Sequence, residues 1–412
     1  MDKLQGEKIS YFISRISSLT ILRGITEHPV MKALHSLFTT LLSDDAQGAV
    51  KCYHRLTQQL LQAHTKKLCG NMFSDFIFNW LTESESDFSK RTAAGCEDIA
   101  DYNAFCHDTA ILHELSGFNT AMAESFILAT SRMTEGDRIR GYTSAVWGGS
   151  IDTGKGPSNK TVELFPWNAK TDDDNPLPGM ERAFEAFTGV DSDALADALI
   201  ELYSTYGSGV FSSNRLFYAD ADNVFHGTAS FLNNKELMPH LCSDEYDKLS
   251  GLCHKYYKNA RTNICLCGKK GMGRTSMLFA LAESHTDLRF VYVNGCDMPD
   301  AAILFRQLSE QPGKFVLLAD DAVDARLINL IDTFRQPDNV MVICTSESNS
   351  DTDCFDEVIE LPVPDLNSFA RYICDIAVDA DESAVRNMCM DYQIETKRQL
   401  SFGAVRDIIR KL

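Results

Sequence analysis

The chain has 412 residues, 44% hydrophobic and 24% charged, with 39 Lys+Arg against 58 Asp+Glu and a formal net charge of −19. At roughly 100–200 residues per domain this predicts two or three domains, and it excludes a disordered, collagenous or coiled-coil protein. The acidity excludes a Lys/Arg coat for non-specific nucleic-acid binding, and it is spread evenly: 15 basic and 24 acidic residues in 262–412 leave −9 there and −10 in the remainder.

The first residues, Met1 to Lys8, are charged and lead into no signal-like apolar stretch, and no apolar run approaches the roughly 18–20 residues of a membrane span. The expectation is a cytoplasmic protein whose 13 cysteines are reduced and mostly serve as small buried hydrophobes. From residue 8 to about 130, apolar residues recur at three and four, as in Ile9, Phe12, Ile13, Ile16, Leu19 and again in Leu34, Leu37, Leu41. This spacing predicts a helical N-terminal domain over 1–133. Residues 134–180 are rich in Gly and Pro and carry the run Asp172-Asp173-Asp174, so they read as a long loop or insertion. Its tryptophans, Trp147 and Trp167, are expected to pack or to anchor the segment. Over 181–261 we expect a helical linker region, in which Phe184, Phe187, Leu195, Leu199 and Leu202 keep helical spacing up to a stop at Tyr206-Gly207-Ser208-Gly209.

At 262 the pattern changes to α/β. Four apolar runs, Ile264–Cys267, Phe290–Val293, Phe315–Ala319 and Val340–Cys344, are separated by helix-length stretches. Continuous apolar runs of this kind suit parallel strands buried on both faces. The core is assigned to 262–361, with a small helical lid over 362–412 after Pro362 and Pro364.

The first of these strands runs into Gly268-Lys269-Lys270-Gly271-Met272-Gly273-Arg274-Thr275-Ser276, followed by helical sequence. Against G-x-x-x-x-G-K-[ST] it matches at Gly268, Gly273 and Thr275 and departs at Arg274. Glycines let backbone N–H groups turn around an anion, the helix start adds positive potential, and a hydroxyl at Thr275 suits Mg²⁺. Arg274 keeps the positive charge in a larger, planar group. A vestigial tight turn is the competing reading. A second match, Gly149 to Gly156, has the Lys but lacks the hydroxyl and is followed by Pro157, so it is read as a loop.

The third strand ends in Asp320-Asp321. In P-loop folds this strand end lies beside the loop, the first carboxylate serving the metal shell and the second polarising the attacking water; helix capping is the alternative use. The fourth strand ends at Thr345-Ser346-Glu347, where a polar residue can meet phosphate or water. Arg406 begins the last helix and either reaches back to the phosphates or lies in solvent. Guanine specificity would want Asn-Lys-x-Asp, whereas the nearest match, Asn294-Gly295-Cys296-Asp297, lacks the Lys, which favours adenine. Cys265-x-Cys267, with Cys242 and Cys253-His254 upstream, fits no standard zinc spacing.

Taken in order, Tyr206-Gly207-Ser208-Gly209-Val210-Phe211, Gly271-Met272-Gly273-Arg274-Thr275-Ser276, Asp320-Asp321 and Arg406 resemble an uncharacterised, mostly bacterial family of AAA-type P-loop ATPases, from about residue 190 onward. The resemblance implies a P-loop core, ATP and Mg²⁺ as cofactors, and Arg406 as a second-sensor arginine. The family's loop Lys is Arg274 here, its first-sensor Asn is Glu347, and the Arg of its Asp-Arg-Phe segment is Cys354. An arginine finger alone is worth roughly 10³–10⁵ in rate. The expectation is therefore ATP binding with weak or lost hydrolysis. Gly268, Gly271, Met272, Gly273, Arg274, Thr275, Ser276 and Arg406 would hold the nucleotide, Thr275 and Asp320 the metal, and Asp321 the catalytic role. The alternative is a pseudo-ATPase scaffold with an empty site. A protein partner through the helical half and a homo-oligomer are possible; nucleic acid and membrane are not expected.

Overall fold

The computed structural model describes residues 3–63, 65–96, 98–130, 164–167, 178–232, 242–322, 325–333, 335–347, 352–377, 380–396 and 400–410. The chain divides into two compact units, Met1–Ser213 and Asn214–Leu412.

The first unit is helical: α1 (Lys3–Ser17), α2 (Pro29–Leu42), α3 (Ala46–Gln62), α4 (Met72–Glu83), α5 (Asp87–Ala93), α6 (Ile99–Ser116), α7 (Thr120–Thr130), α8 (Pro178–Thr188), α9 (Ser192–Tyr206) and α10 (Val210–Ser213). The helices begin where short polar side chains can take an orphan N–H, as Asp45 does from Gly48 and Asn71 from Phe73. Their apolar stripes meet in an aromatic core that includes Phe38, Phe73, Phe78, Phe105 and Phe118. The buried carboxylate of Asp108 on α6 accepts the backbone N–H groups of Thr20 and Leu22, both at 2.8 Å, which fastens the segment between α1 and α2. Trp167 is an anchor, as expected. Its ring stacks on Tyr53 with centroids 4.9 Å apart, and its Nε1 donates to Thr57 at 2.9 Å. The remainder of the Gly/Pro-rich stretch, including Trp147, lies outside the described residues apart from 164–166 and 178–180. The Tyr206–Phe211 element closes α9 through Gly207 and Gly209, at φ 98° and 64°, backbone that favours glycine.

The second unit holds β1 (Leu216–Ala219), β2 (Phe225–Thr228), α11 (Ser243–Tyr257), β3 (Ile264–Cys267), α12 (Arg274–Ser284), β4 (Arg289–Asn294), α13 (Ala301–Ser309), β5 (Phe315–Asp320), α14 (Ala325–Asp332), β6 (Val340–Ser346) and β7 (Glu357–Glu360). It ends in three helices, α15 (Leu366–Ile376), α16 (Glu382–Thr396) and α17 (Phe402–Ile409), with their own small core around Phe369, Ile373, Val385, Cys389 and Leu400. The strands form one sheet in the order β2-β1-β4-β5-β6-β3-β7, and every pairing except β1 with β2 is parallel.

The four apolar runs are therefore β3 to β6, with β3 and β5 buried along their whole length. The expectation of a wholly helical 181–261 is corrected, because β1 and β2 lie inside it. Their four-residue runs are too short to show a period, and β2, Phe-His-Gly-Thr, is half exposed and has no apolar signature. Their tight turn is tied by Asp220, whose carboxylate accepts the N–H groups of Asp222 and Val224. The edge strand β7 was likewise hidden among the acidic residues of 351–360. From β3 the chain crosses to β4, fills β5 and β6 back toward β3, and then adds β7 on β3's other side. The switch in direction thus lies beside β3, and ligands of open α/β sheets bind at the carboxyl ends of strands at such a point.

Candidate functional site

Strand β3 delivers the glycine loop to that switch point. The N–H of Gly268 donates to the carbonyl of Ser346 at 3.0 Å, continuing the β3–β6 ladder into the loop. Gly271 and Gly273 sit at φ 83° and 86°, where an L side chain is strained. Gly273 is also the residue from which α12 starts, and no side chain caps it, so the first-turn N–H groups of α12 face the loop without a capping oxygen. Lys269 and Lys270 are exposed beside it, whereas Met272 is buried beneath.

Asp320 closes β5 and is only 5% exposed. Three hydroxyls converge on it. Thr275 Oγ1 donates to Oδ2 at 2.6 Å, Tyr292 Oη to the same oxygen at 3.1 Å, and Thr345 Oγ1 to Oδ1 at 2.7 Å. These hydrogen bonds hold the carboxylate in place. Burial, with the Asp320 charge next, pushes the Tyr292 phenol well above its ordinary range, so it remains a donor. Thr345 also accepts the N–H of Asp321 at 2.8 Å, fixing the turn after β5. That turn puts Asp321 at φ 50°, the left-handed region that a non-glycine residue occupies at a cost. Gly295, after β4, passes so close that a Cβ there would lie 2.1 Å from the Asp321 carbonyl oxygen.

Arg274 is 6% exposed, and its guanidinium reaches the ends of two strands. Nη1 lies 2.6 Å from Asp321 Oδ1, and Nη2 lies 3.8 Å from Glu347 Oε1. The first contact is a close ion pair, and Nη1 is itself buried. Both carboxylates are 59% exposed.

The sequence-designated residues are thus brought together in large part. Gly268, Gly271, Met272, Gly273, Arg274, Thr275 and Ser276 form the loop and helix start, Thr275 touches Asp320, and Arg274 touches Asp321. Arg406 lies on α17, but its side chain is outside the described residues. The approach of that end of the chain is nevertheless visible, since a Cβ on Gly271 would meet Ser401 Cβ at 3.1 Å, just before α17 begins. The second glycine match at 149–156 is outside the described residues. Cys265 and Cys267 share a face of β3 with their sulfurs 3.5 Å apart, and burial raises both thiols. Sequence reasoning missed the roles of Tyr292 and Thr345 as supports of Asp320, and the pairing of Glu347 with Arg274. The last had a signal, because an acidic residue at one strand end accompanied a forked cation at the loop.

With β6 between the loop strand and the acid strand, the second unit has the mostly parallel α/β sheet, glycine loop and strand-end carboxylate of a P-loop fold, followed by three helices. A family described as "Protein of unknown function (DUF815)" matches residues 247–349, which run from within α11 to just past β6. No curated protein matches the chain. Among solved structures, the Thermotoga maritima RuvB Holliday junction branch migration motor is similar at 15% identity, over 41% of this chain and 69% of that one, with a TM-score of 0.29. A variant form of the same motor gives 14% identity over the same shares and the same TM-score. C. elegans PCH-2 is similar at 19% identity over 33% of this chain and 46% of that one, with a TM-score of 0.26.

Proposed function

We propose that this chain is an AAA-like nucleotide-binding protein that takes ATP with Mg²⁺ at the 268–276 loop and hydrolyses it slowly or not at all. One observation carries the reading: an uncapped helix start, two glycines at positive φ and a hydroxyl resting on a buried strand-end carboxylate meet at one point. The donor set fits the ligands. The loop N–H groups suit phosphate oxygens, and Thr275 with Asp320 suits a hard divalent cation, which would neutralise phosphate charge when bound. The chain's own residues then have distinct roles: the loop orients the phosphates, Tyr292 and Thr345 hold Asp320, and Asp321 faces the position of an attacking water. Asp321 is tied to Arg274 and is shorter than a Glu, and Glu347 offers no donor, which supports feeble turnover.

Millimolar Mg²⁺ with ATP or ADP should raise the melting temperature of the purified protein, because a ligand of the native state stabilises by mass action. No shift with either nucleotide would overturn the proposal. A second reading, a scaffold with an empty site, is favoured by the ion pair that Arg274 makes with Asp321 within the chain itself. Phosphate release from wild type and Asp320→Asn separates the two: turnover lost in the variant supports the enzyme, and no turnover with no binding supports the scaffold. The helical unit is the proposed surface for a protein partner. A cytoplasmic location and self-assembly belong to the same proposal. Among the described residues no helix is long and apolar enough to cross a membrane.

A further inference from the structure

We infer that the resting loop is selective for a nucleoside diphosphate over the triphosphate, an inference that rests on the nucleotide reading above. In a glycine loop of this kind the backbone N–H groups cradle the inner phosphates, and the cation at the position of Arg274 serves the outer ones. Here that cation is held between Asp321 and Glu347, just past the ends of β5 and β6. The outer end of the site therefore carries one positive and two negative side chains, with Asp320 adding a third carboxylate behind them. A third phosphate must approach Asp321 and Glu347 and compete with both for one guanidinium. A diphosphate can use the uncapped helix start and the loop backbone without displacing the pair.

Glu347 is the discriminating group. It is the second, longer contact of Arg274, it is exposed, and it makes no part of the loop that would hold a diphosphate. Like charges about 5 Å apart at a screened, half-open site change an affinity by about tenfold.

The test is titration calorimetry of the full chain with ADP and with a non-hydrolysable ATP analogue at fixed Mg²⁺, on wild type, Glu347→Gln and Asp321→Asn. Wild type should bind ADP about tenfold or more tightly than the analogue, and Glu347→Gln should shrink that ratio by about tenfold through a gain in the triphosphate. Asp321→Asn, which also frees Arg274, should move the ratio in the same direction. Binding of both nucleotides with equal affinity, or a ratio unmoved by both variants, overturns the inference and leaves nucleotide binding standing. Absence of binding by either nucleotide in all three proteins overturns the nucleotide reading itself, and this inference with it.

Discussion

Replacing Arg274 with Met separates what the residue does for stability from what it does for the ligand. Burying a guanidinium to 6% exposure costs several kcal/mol of desolvation. What the residue regains comes from two carboxylates that are each 59% exposed, one of them 3.8 Å away, and exposed pairs of this kind return about 0–1 kcal/mol each. Methionine keeps the apolar stem in place, and the two carboxylates it leaves behind are already in water. Arg274→Met should therefore leave the ligand-free protein as stable as wild type or about 1–2 kcal/mol more stable, a rise of roughly 2–8 °C in melting temperature for a unit of about 200 residues. In wild type, nucleotide at about 100 times its Kd adds about 2.7 kcal/mol, or roughly 5–11 °C. With ADP, whose phosphates the loop backbone and helix start would hold, the variant should keep most of that rise. Differential scanning fluorimetry with and without Mg²⁺ and ADP reads both quantities in one plate. A ligand-free melting point more than about 5 °C below wild type, or loss of the ADP shift in the variant, would refute the reasoning.

Thr345→Val removes the hydroxyl that donates to Asp320 and accepts from the Asp321 N–H, at nearly constant volume. Leaving a buried carboxylate short of a donor and a part-buried N–H without its acceptor should cost about 2 kcal/mol, roughly 4–8 °C, by thermal melting; a loss under about 2 °C would show that Asp320 does not depend on it. The histidines give a pH dependence. Burial lowers His28, His54 and His285 below the ordinary 6.5, so the unfolded chain binds more protons than the folded one, and stability should be full above pH 6.5 and fall as pH drops below it. His28→Asn keeps an acceptor for the Val30 N–H and should flatten part of the loss between about pH 7.5 and 5.5; an unchanged slope would assign the loss to other groups.

What the sequence disclosed follows from how each element achieves its burial. Strands β3 to β6 are buried on both faces and read as unbroken apolar runs, so they were legible to within about two residues at either end. β2 and β7 are short and partly exposed, and β1, though buried, is a run of only four residues; no local period marks any of them. The same division holds in the site. The glycine loop and Asp320-Asp321 are contiguous motifs and were found as such. Tyr292 and Thr345 support Asp320 from β4 and β6, and only the parallel register that sets Asn294 beside Asp320 and Ala319 beside Cys344 brings them within reach.

The departures at Arg274 and Glu347 look like separate losses when taken one position at a time, yet in the folded chain they form one unit. An ammonium is a compact point charge, whereas a guanidinium presents donors in a rigid fork. Arg274 uses that width to meet Asp321 beyond β5 and Glu347 beyond β6 at once. A Glu at the end of β6 without the fork would add a third uncompensated carboxylate to a site that already holds Asp320 and Asp321. With the fork, the same Glu lies 3.8 Å from the loop's cation and offsets part of its charge. The two substitutions compensate each other in charge while jointly lowering the demand for a third phosphate. That coupling is what the proposed nucleotide site, with its glycines, its hydroxyl and its buried carboxylate, would need if hydrolysis is slow or lost. Within a chain of net charge −19, what matters at this site is the balance among one arginine and three carboxylates.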